Sequence, residues 1–253
     1  MITVNNLNKS FYGRTVLSDI SLEFQSGKCN LIIGESGSGK TVLTKCLVGL
    51  LQPDQGQVLY DGRNFLTMSR NEQTYIRKEM GMLFQGGALF DSMTVEQNIV
   101  FPLSMFTNQS EEEKRERANF CLQRVNLPNA AKLFPSELSG GMKKRVAIAR
   151  AISVSPKYLI CDEPNSGLDP ITSIVIDELI REITQEYDIT TIVITHDMNS
   201  VLEIGDNIAF LYKGKILWKG TKEQILHSNT EELVNFVYAT KFLKEFRKRL
   251  ITT

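Results

Sequence analysis

Eight consecutive residues, Gly34-Glu35-Ser36-Gly37-Ser38-Gly39-Lys40-Thr41, carry the clearest chemistry in the chain. They fit a phosphate-binding loop, G-x-x-x-x-G-K-[ST]. A polyphosphate needs backbone N–H groups turned toward it and a chain that approaches closely. Gly37 and Gly39 permit both, because glycine takes backbone angles closed to other residues. Lys40 offers a point charge for the outer phosphates, and Thr41 a hydroxyl for Mg2+. The helix expected from Thr41 to about Leu51 aims its N-terminus at the anion.

Three further polar sites follow apolar runs. Tyr158-Leu159-Ile160-Cys161 ends at Asp162 and Glu163. Ile192-Val193-Ile194 ends at Thr195 and His196, and Met80 to Phe84 ends at Gln85. Nucleotide hydrolysis needs a carboxylate that helps hold the metal and a second group that orients or deprotonates water.

The elements that must position these groups are legible in outline. Continuous apolar runs suit strands covered on both faces, as in a parallel sheet, and polar groups at their carboxyl ends are how open α/β sheets build ligand sites. Ile176, Leu179, Ile180 and Ile183 form one apolar helix face, with Asp169 as its N-cap and Pro170 in its first turn. Glu111 to Val125 is charged and helix-favouring, and Asn207 to Gly220 reads as a hairpin turning at Lys213-Gly214. From about Gly86 to Ser153 the strand rhythm gives way to helical patterns. Ser139 caps a helix containing Val146, Ile148, Ala149 and Ala151, which makes a second helix-terminus anion site. Near the end, Tyr238, Phe242, Phe246 and Leu250 recur every four residues among Lys244, Arg247, Lys248 and Arg249. A helix of this kind can pack on its own domain, exchange onto a dimer partner or lie on an anionic membrane; packing against protein is the expectation.

Bulk composition narrows the field further. The chain has 253 residues, with 29 Lys plus Arg against 29 Asp plus Glu, so no global charge points to nucleic acid. Cys29, Cys46, Cys121 and Cys161 contain no C-x-x-C pair and read as reduced, structural thiols of a cytosolic protein. The N-terminus lacks a signal-peptide pattern, and no apolar stretch is long enough to cross a bilayer. Work at a membrane therefore requires a second chain to span it.

Leu138-Ser139-Gly140-Gly141-Met142 resembles the Leu-Ser-Gly-Gly-Gln signature of the ATP-binding cassette family, with Met142 in place of glutamine. Together with the phosphate loop, it gives a resemblance running from Phe11 to near Gly220. The resemblance implies an α/β P-loop NTPase: a RecA-like core with an antiparallel β subdomain and an inserted helical subdomain. It places the ATPase domain at 1–220, the insertion at about 86–153 and a C-terminal helical extension at 221–253. It further implies ATP and Mg2+, with Asp162, Thr41 and Gln85 serving the metal, Glu163 polarising the water and His196 contacting the γ-phosphate. Phe11 aligns with the aromatic that stacks on adenine, with adjacent Tyr12 able to substitute. Ser166-Gly167-Leu168-Asp169 resembles the loop through which two cassettes touch. Ser139, Gly140 and Gly141 would bind the γ-phosphate held by the opposite subunit of a homodimer.

Within that family, Gln85-Gly86-Gly87-Ala88-Leu89-Phe90-Asp91-Ser92, with Asn98, Phe101-Pro102-Leu103 and a signature ending in Met142, looks like the ATP-binding subunits of Mla- and Mce-type lipid transporters. The resemblance implies a cytoplasmic subunit, peripheral on the inner face of the cell membrane, that powers phospholipid transport through an MlaE-like permease with an Mce-type substrate-binding protein. It allows a small regulatory subunit. Leu89, Phe90, Met93 and Val95 could form the permease-docking groove or pack inside the helical segment. The rival expectations are another importer or a lipoprotein-release system, and, less well supported, a soluble cassette ATPase.

Overall fold

A computed structural model describes residues 1–239. The expected aromatic stripe at Phe242, Phe246 and Leu250 lies outside them. Strands β1 (Ile2–Phe11), β2 (Arg14–Phe24) and β3 (Cys29–Ile33) lead to helix α1 (Lys40–Leu47). Strands β4 (Gln55–Tyr60) and β5 (Arg63–Asn64) and helix α2 (Arg70–Lys78) precede β6 (Met80–Leu83). Three helices follow: α3 (Val95–Phe106), α4 (Glu111–Arg124) and α5 (Gly140–Ile152). Next come β7 (Tyr158–Asp162), α6 (Pro170–Glu186), β8 (Thr190–Thr195) and α7 (Met198–Ile204). The hairpin β9 (Asn207–Tyr212) and β10 (Lys215–Gly220) and short helices α8 (Lys222–Leu226) and α9 (Glu231–Val237) complete the described chain.

Two compact units arise. The first holds Met1–Phe24, Asn30–Leu66 and the chain from Thr195. Its antiparallel sheet has the order β2-β1-β4-β5. Ile2, Val4, Leu7, Ile20 and Val58 are fully buried there, and the Tyr60 hydroxyl donates to the Leu47 carbonyl at 2.8 Å, tying β4 to α1. In the same unit β3 runs parallel to β9, which pairs antiparallel with β10. The hairpin turns at Lys213 and Gly214, both at positive φ, which matches the right-handed twist of its strands. Gly214 N–H donates to the Ser38 carbonyl at 3.0 Å, so this turn supports the glycine loop. Helix α1 is shorter than the sequence suggests. Gly49, at φ +71°, stops it, with Gly49 N–H bonded to Cys46 O and Leu50 N–H to Lys45 O, satisfying its last carbonyls.

The second unit holds Gln25–Cys29 and Thr67–Ile194. Strands β8, β7 and β6 lie side by side and parallel, and β7 and β8 are buried almost throughout, as expected of strands covered on both faces. Helix α5 lies against β6 at close range: a Cβ on Gly81 would stand 2.4 Å from the Ala151 carbonyl. Its C-terminus is capped by Arg117 of α4, which donates to the Ser153 and Ile152 carbonyls at 2.8 and 2.9 Å. Capping boxes begin α2, α3 and α4, at Ser69/Glu72, Thr94/Gln97 and Ser110/Glu113. All four cysteines are buried and unbridged.

Candidate active site

In the first unit, fully buried β3 delivers the chain into the glycine loop. Gly34 sits at φ +155°, where a Cβ would stand 2.2 Å from the Leu211 carbonyl. No other residue fits without moving β9. Gly39, at φ +112°, begins α1, and no side chain caps that helix. Its first N–H groups have no intrahelical acceptor, and they carry the positive end of the helix dipole. Lys40 is buried and curls over the loop, donating to the Gly34 carbonyl at 2.6 Å and the Glu35 carbonyl at 2.9 Å. Glu35, Ser36, Gly37 and Thr41 are exposed. Ser38 is buried, and its Oγ has no hydrogen-bond partner among the described residues.

Also in this unit, His196 follows β8 and is exposed, while Asp197 caps α7 through Asn199 N–H at 2.9 Å. Phe11 ends β1 with 38% of its surface exposed, and the Lys9 ammonium stands 5.3 Å from its ring centre. Tyr12 is fully exposed at positive φ.

The second unit gathers a different set. The register pairs Leu83 with Cys161, so Gln85 and Glu163 each lie two residues beyond paired positions on adjacent parallel strands. Gln85 Nε2 donates to Ser166 Oγ at 3.2 Å. Asp162, half-buried, ends β7 in register with Ile194. Glu163 turns away sharply at φ +49°, a sparsely populated conformation for a residue with a side chain, and its N–H donates to the Ile194 carbonyl at 2.8 Å. Asp169 caps α6, accepting from Thr172 N–H at 3.0 Å and from the Thr172 hydroxyl at 2.6 Å. Those bonds hold its carboxyl below the usual range. Ser139 caps α5, accepting from Met142 N–H at 3.3 Å. Gly140 is exposed, and a Cβ on Gly141 would stand 2.6 Å from Thr172, so the turn at 139–141 lies directly against the start of α6.

Sequence reasoning passed over Lys144. It is 5% exposed and donates to the main-chain carbonyls of Gln85 and Glu163, the latter at 3.3 Å. Burial pushes its ammonium down from the ordinary lysine range, opposed by nearby Cys161, Glu163 and Asp162. A signal was available: Lys144 shares a helix face with Ile148 and Ala151, at i+4 and i+7.

The same unit carries an apolar groove of about 450 Å³, lined by Met80, Phe84, Phe90, Phe101, Pro102 and Phe106. The rings of Phe90 and Phe101 meet at 4.8 Å. Of the four expected docking residues, Phe90 lines the groove. Val95 is fully buried, and Leu89 and Met93 are half-buried outside its lining.

The donor set fits a nucleoside triphosphate with Mg2+. The uncapped helix start, the buried lysine and the orphaned Ser38 hydroxyl suit an anion. Mg2+ is usually bound by one or two carboxylates together with substrate phosphates, and Asp162 with the Thr41 hydroxyl is a donor set of that kind.

A glycine loop between a buried strand and an uncapped helix, in a chain whose parallel strand β7 ends at Asp162 and Glu163, defines a P-loop nucleotide hydrolase. The ABC transporter family model matches residues 17–166, and the chain belongs to that family. It is 40% identical over 237 residues to the intermembrane phospholipid transport system ATP-binding protein MlaF of Haemophilus influenzae, covering 94% of this chain and 90% of that one. It is 38% identical over 236 residues to the probable ribonucleotide transport ATP-binding protein mkl of Mycobacterium leprae, covering 93% of this chain and 68% of that one. It is 42% identical over 217 residues to the methionine import ATP-binding protein MetN of Legionella pneumophila, covering 86% of this chain and 63% of that one. Among solved structures, a dimeric ATP-binding cassette in a post-hydrolysis state with ADP and phosphate matches with a TM-score of 0.80 at 31% identity, covering 88% of this chain and 99% of that one. The chain is an ABC-type ATPase that uses ATP with Mg2+. No helix among the described residues is long and apolar enough to cross a membrane.

Proposed function

We propose that this chain is the ATPase of a bacterial system that moves phospholipid or a related lipid between membranes, acting as a homodimer on the inner face of the cell membrane. The observation that carries this reading is the end-to-end match to the phospholipid-transport relative, which spans nine tenths of both chains. The matches to the ribonucleotide- and methionine-named relatives cover about two thirds of those proteins. The segment Ala88-Leu89-Phe90-Asp91-Ser92 and Met142 in the signature support the same assignment. The apolar groove at Phe90 and Phe101 suits an apolar element of an MlaE-like permease, itself joined to an Mce-type protein.

In the mechanism, Lys40 and the amides of the glycine loop hold the β- and γ-phosphates, and Phe11 stacks on adenine. Thr41, Asp162 and Gln85 would hold Mg2+, which would supply neutralisation of the phosphate charge. Glu163 takes a proton from water as its oxygen bonds to the γ-phosphorus and the bond to ADP breaks. His196 donates to the γ-phosphate. Ser139, Gly140 and Gly141 of a second copy complete the site, and Asp169 couples the two copies. Closure around ATP drives the permease; hydrolysis releases it.

The test is to purify the chain from detergent-solubilised native membranes and identify what accompanies it by mass spectrometry. A multi-spanning permease with bound phospholipid is the expected result. A permease bound to a nucleotide-like or amino-acid solute would favour the mkl- or MetN-like reading. Recovery without any membrane partner would contradict the transport role.

A further inference from the structure

Lys144 stands at the fifth position of α5, the helix that begins at the Ser139 turn. Its long side chain runs inward and is almost fully enclosed, a costly place for an ammonium unless polar groups receive it. Two main-chain carbonyls do so, those of Gln85 and Glu163. These residues are 78 positions apart in the chain and lie just beyond adjacent strands. Lys144 is thus one side chain that touches both the glutamine loop and the peptide of the proposed base.

The Glu163 backbone is held on both sides of its Cα, through the peptide before it and the peptide after it. Its N–H is bonded to Ile194, its carbonyl receives Lys144, and its φ of +49° leaves little slack between them. The direction of the Glu163 carboxylate depends on that backbone. Arg150, six residues further along α5, holds the next part of the glutamine loop, donating to the Ala88 and Gly87 carbonyls at 2.7 and 2.8 Å. Helix α5 therefore grips residues 85–88 at two points, and Lys144 also reaches Glu163.

We propose that Lys144 is a positioning residue for hydrolysis: it sets Glu163 and Gln85 at a fixed spacing and makes that spacing follow movement of the Ser139–Gly141 turn. A helix transmits displacement over five residues with little loss, so engagement of the turn shifts the Nζ that holds both carbonyls. An apolar side chain of similar length fills the same space but holds neither carbonyl. This inference rests on Glu163 as the base of ATP hydrolysis.

The experiment compares Lys144→Met, Lys144→Arg and Glu163→Gln in the full-length chain within the membrane complex it purifies with, measuring kcat and KM for ATP, nucleotide affinity and thermal midpoint. Lys144→Met is expected to lower kcat roughly 10- to 100-fold, the scale of a misplaced reacting group. KM and affinity should change less than about twofold, since only the chemical step is affected. Lys144→Arg, which restores a cationic donor, should recover most of the loss. If Lys144→Met does not fold, Lys144→Gln, which keeps a shorter N–H donor, is judged by the same split against Lys144→Arg. Wild-type kcat in the methionine variant overturns the proposal. So does loss of affinity and kcat together without rescue by arginine, which marks Lys144 as purely structural. Glu163→Gln separates the two levels: if it hydrolyses ATP at the wild-type rate, the assignment of the base is wrong. If it is inactive while Lys144→Met is normal, only the Lys144 inference falls.

Discussion

Gln85 donates from Nε2 to the hydroxyl of Ser166 at 3.2 Å, joining the loop after β6 to the loop after β7. A neutral bond in an exposed setting contributes about 0.5–1.5 kcal/mol, enough to bias the direction of Gln85. Ser166→Ala should leave the thermal midpoint nearly unchanged and shift kcat by roughly two- to tenfold, the rate equivalent of that energy. Steady-state ATPase assays beside a melting curve check this; a large fall in the midpoint with unchanged kcat would assign the bond to folding alone.

Asn98 anchors the turn that presents Phe90. It is fully buried, accepts from Phe90 N–H at 2.8 Å and donates to the carbonyls of Phe90, Met93 and Thr94 at 3.0–3.2 Å. Asn98→Ala leaves several part-buried backbone groups without their amide partner and should cost about 1–3 kcal/mol in chemical denaturation. It should also weaken permease association, because Phe90 and Phe101 line the groove together. Denaturation that matches the wild type would show that water replaces the amide.

Gly34→Ala places a methyl against the Leu211 carbonyl in a backbone region unsuited to alanine. The expected result is a loss of about 1–3 kcal/mol in stability together with loss of ATP binding, since the loop itself must shift. Titration with a fluorescent ATP analogue checks the second part; wild-type affinity would mean that the loop tolerates a displaced β9.

The cysteines should be inert in the folded protein. Burial pushes the thiols of Cys46 and Cys121 up to about 11, and that of Cys161 higher still. A raised thiol pKa means thiolate appears only as pH climbs far past 8, and at pH 8 a pKa near 11 leaves about one thiolate in a thousand. Iodoacetamide at pH 8 should label none of the four thiols of the native chain and all of them in denaturant. Rapid labelling of native Cys46 or Cys121 would contradict their burial.

Much of the candidate site stands out in sequence because the chemistry proposed for it is local. Gly34 to Thr41 must be contiguous to wrap a phosphate, and Asp162, Glu163, Gln85 and His196 each follow an apolar run that announces a strand. Ser139 and Asp169 were legible as caps, and the structure shows both in that role. Lys144 was not legible in the same way, because its partners are carbonyls of residues 59 and 19 positions away, brought near only by the parallel register of β6 and β7. The positive φ of Glu163 and the bond from its N–H to Ile194 are likewise features that no local pattern encodes. The four apolar residues after Gln85 looked equivalent in sequence, and only packing divides buried Val95 from groove-lining Phe90.

The most direct test of the account is ATP turnover and nucleotide occupancy in Glu163→Gln. The amide keeps the shape of the side chain and cannot take the proton from water. The expected result is a fall in kcat of roughly 100-fold or more, the contribution of a general base, while the variant retains ATP and accumulates as a closed dimer on size-exclusion chromatography. Wild-type turnover in this variant would contradict the assignment of Glu163 as the group that activates water.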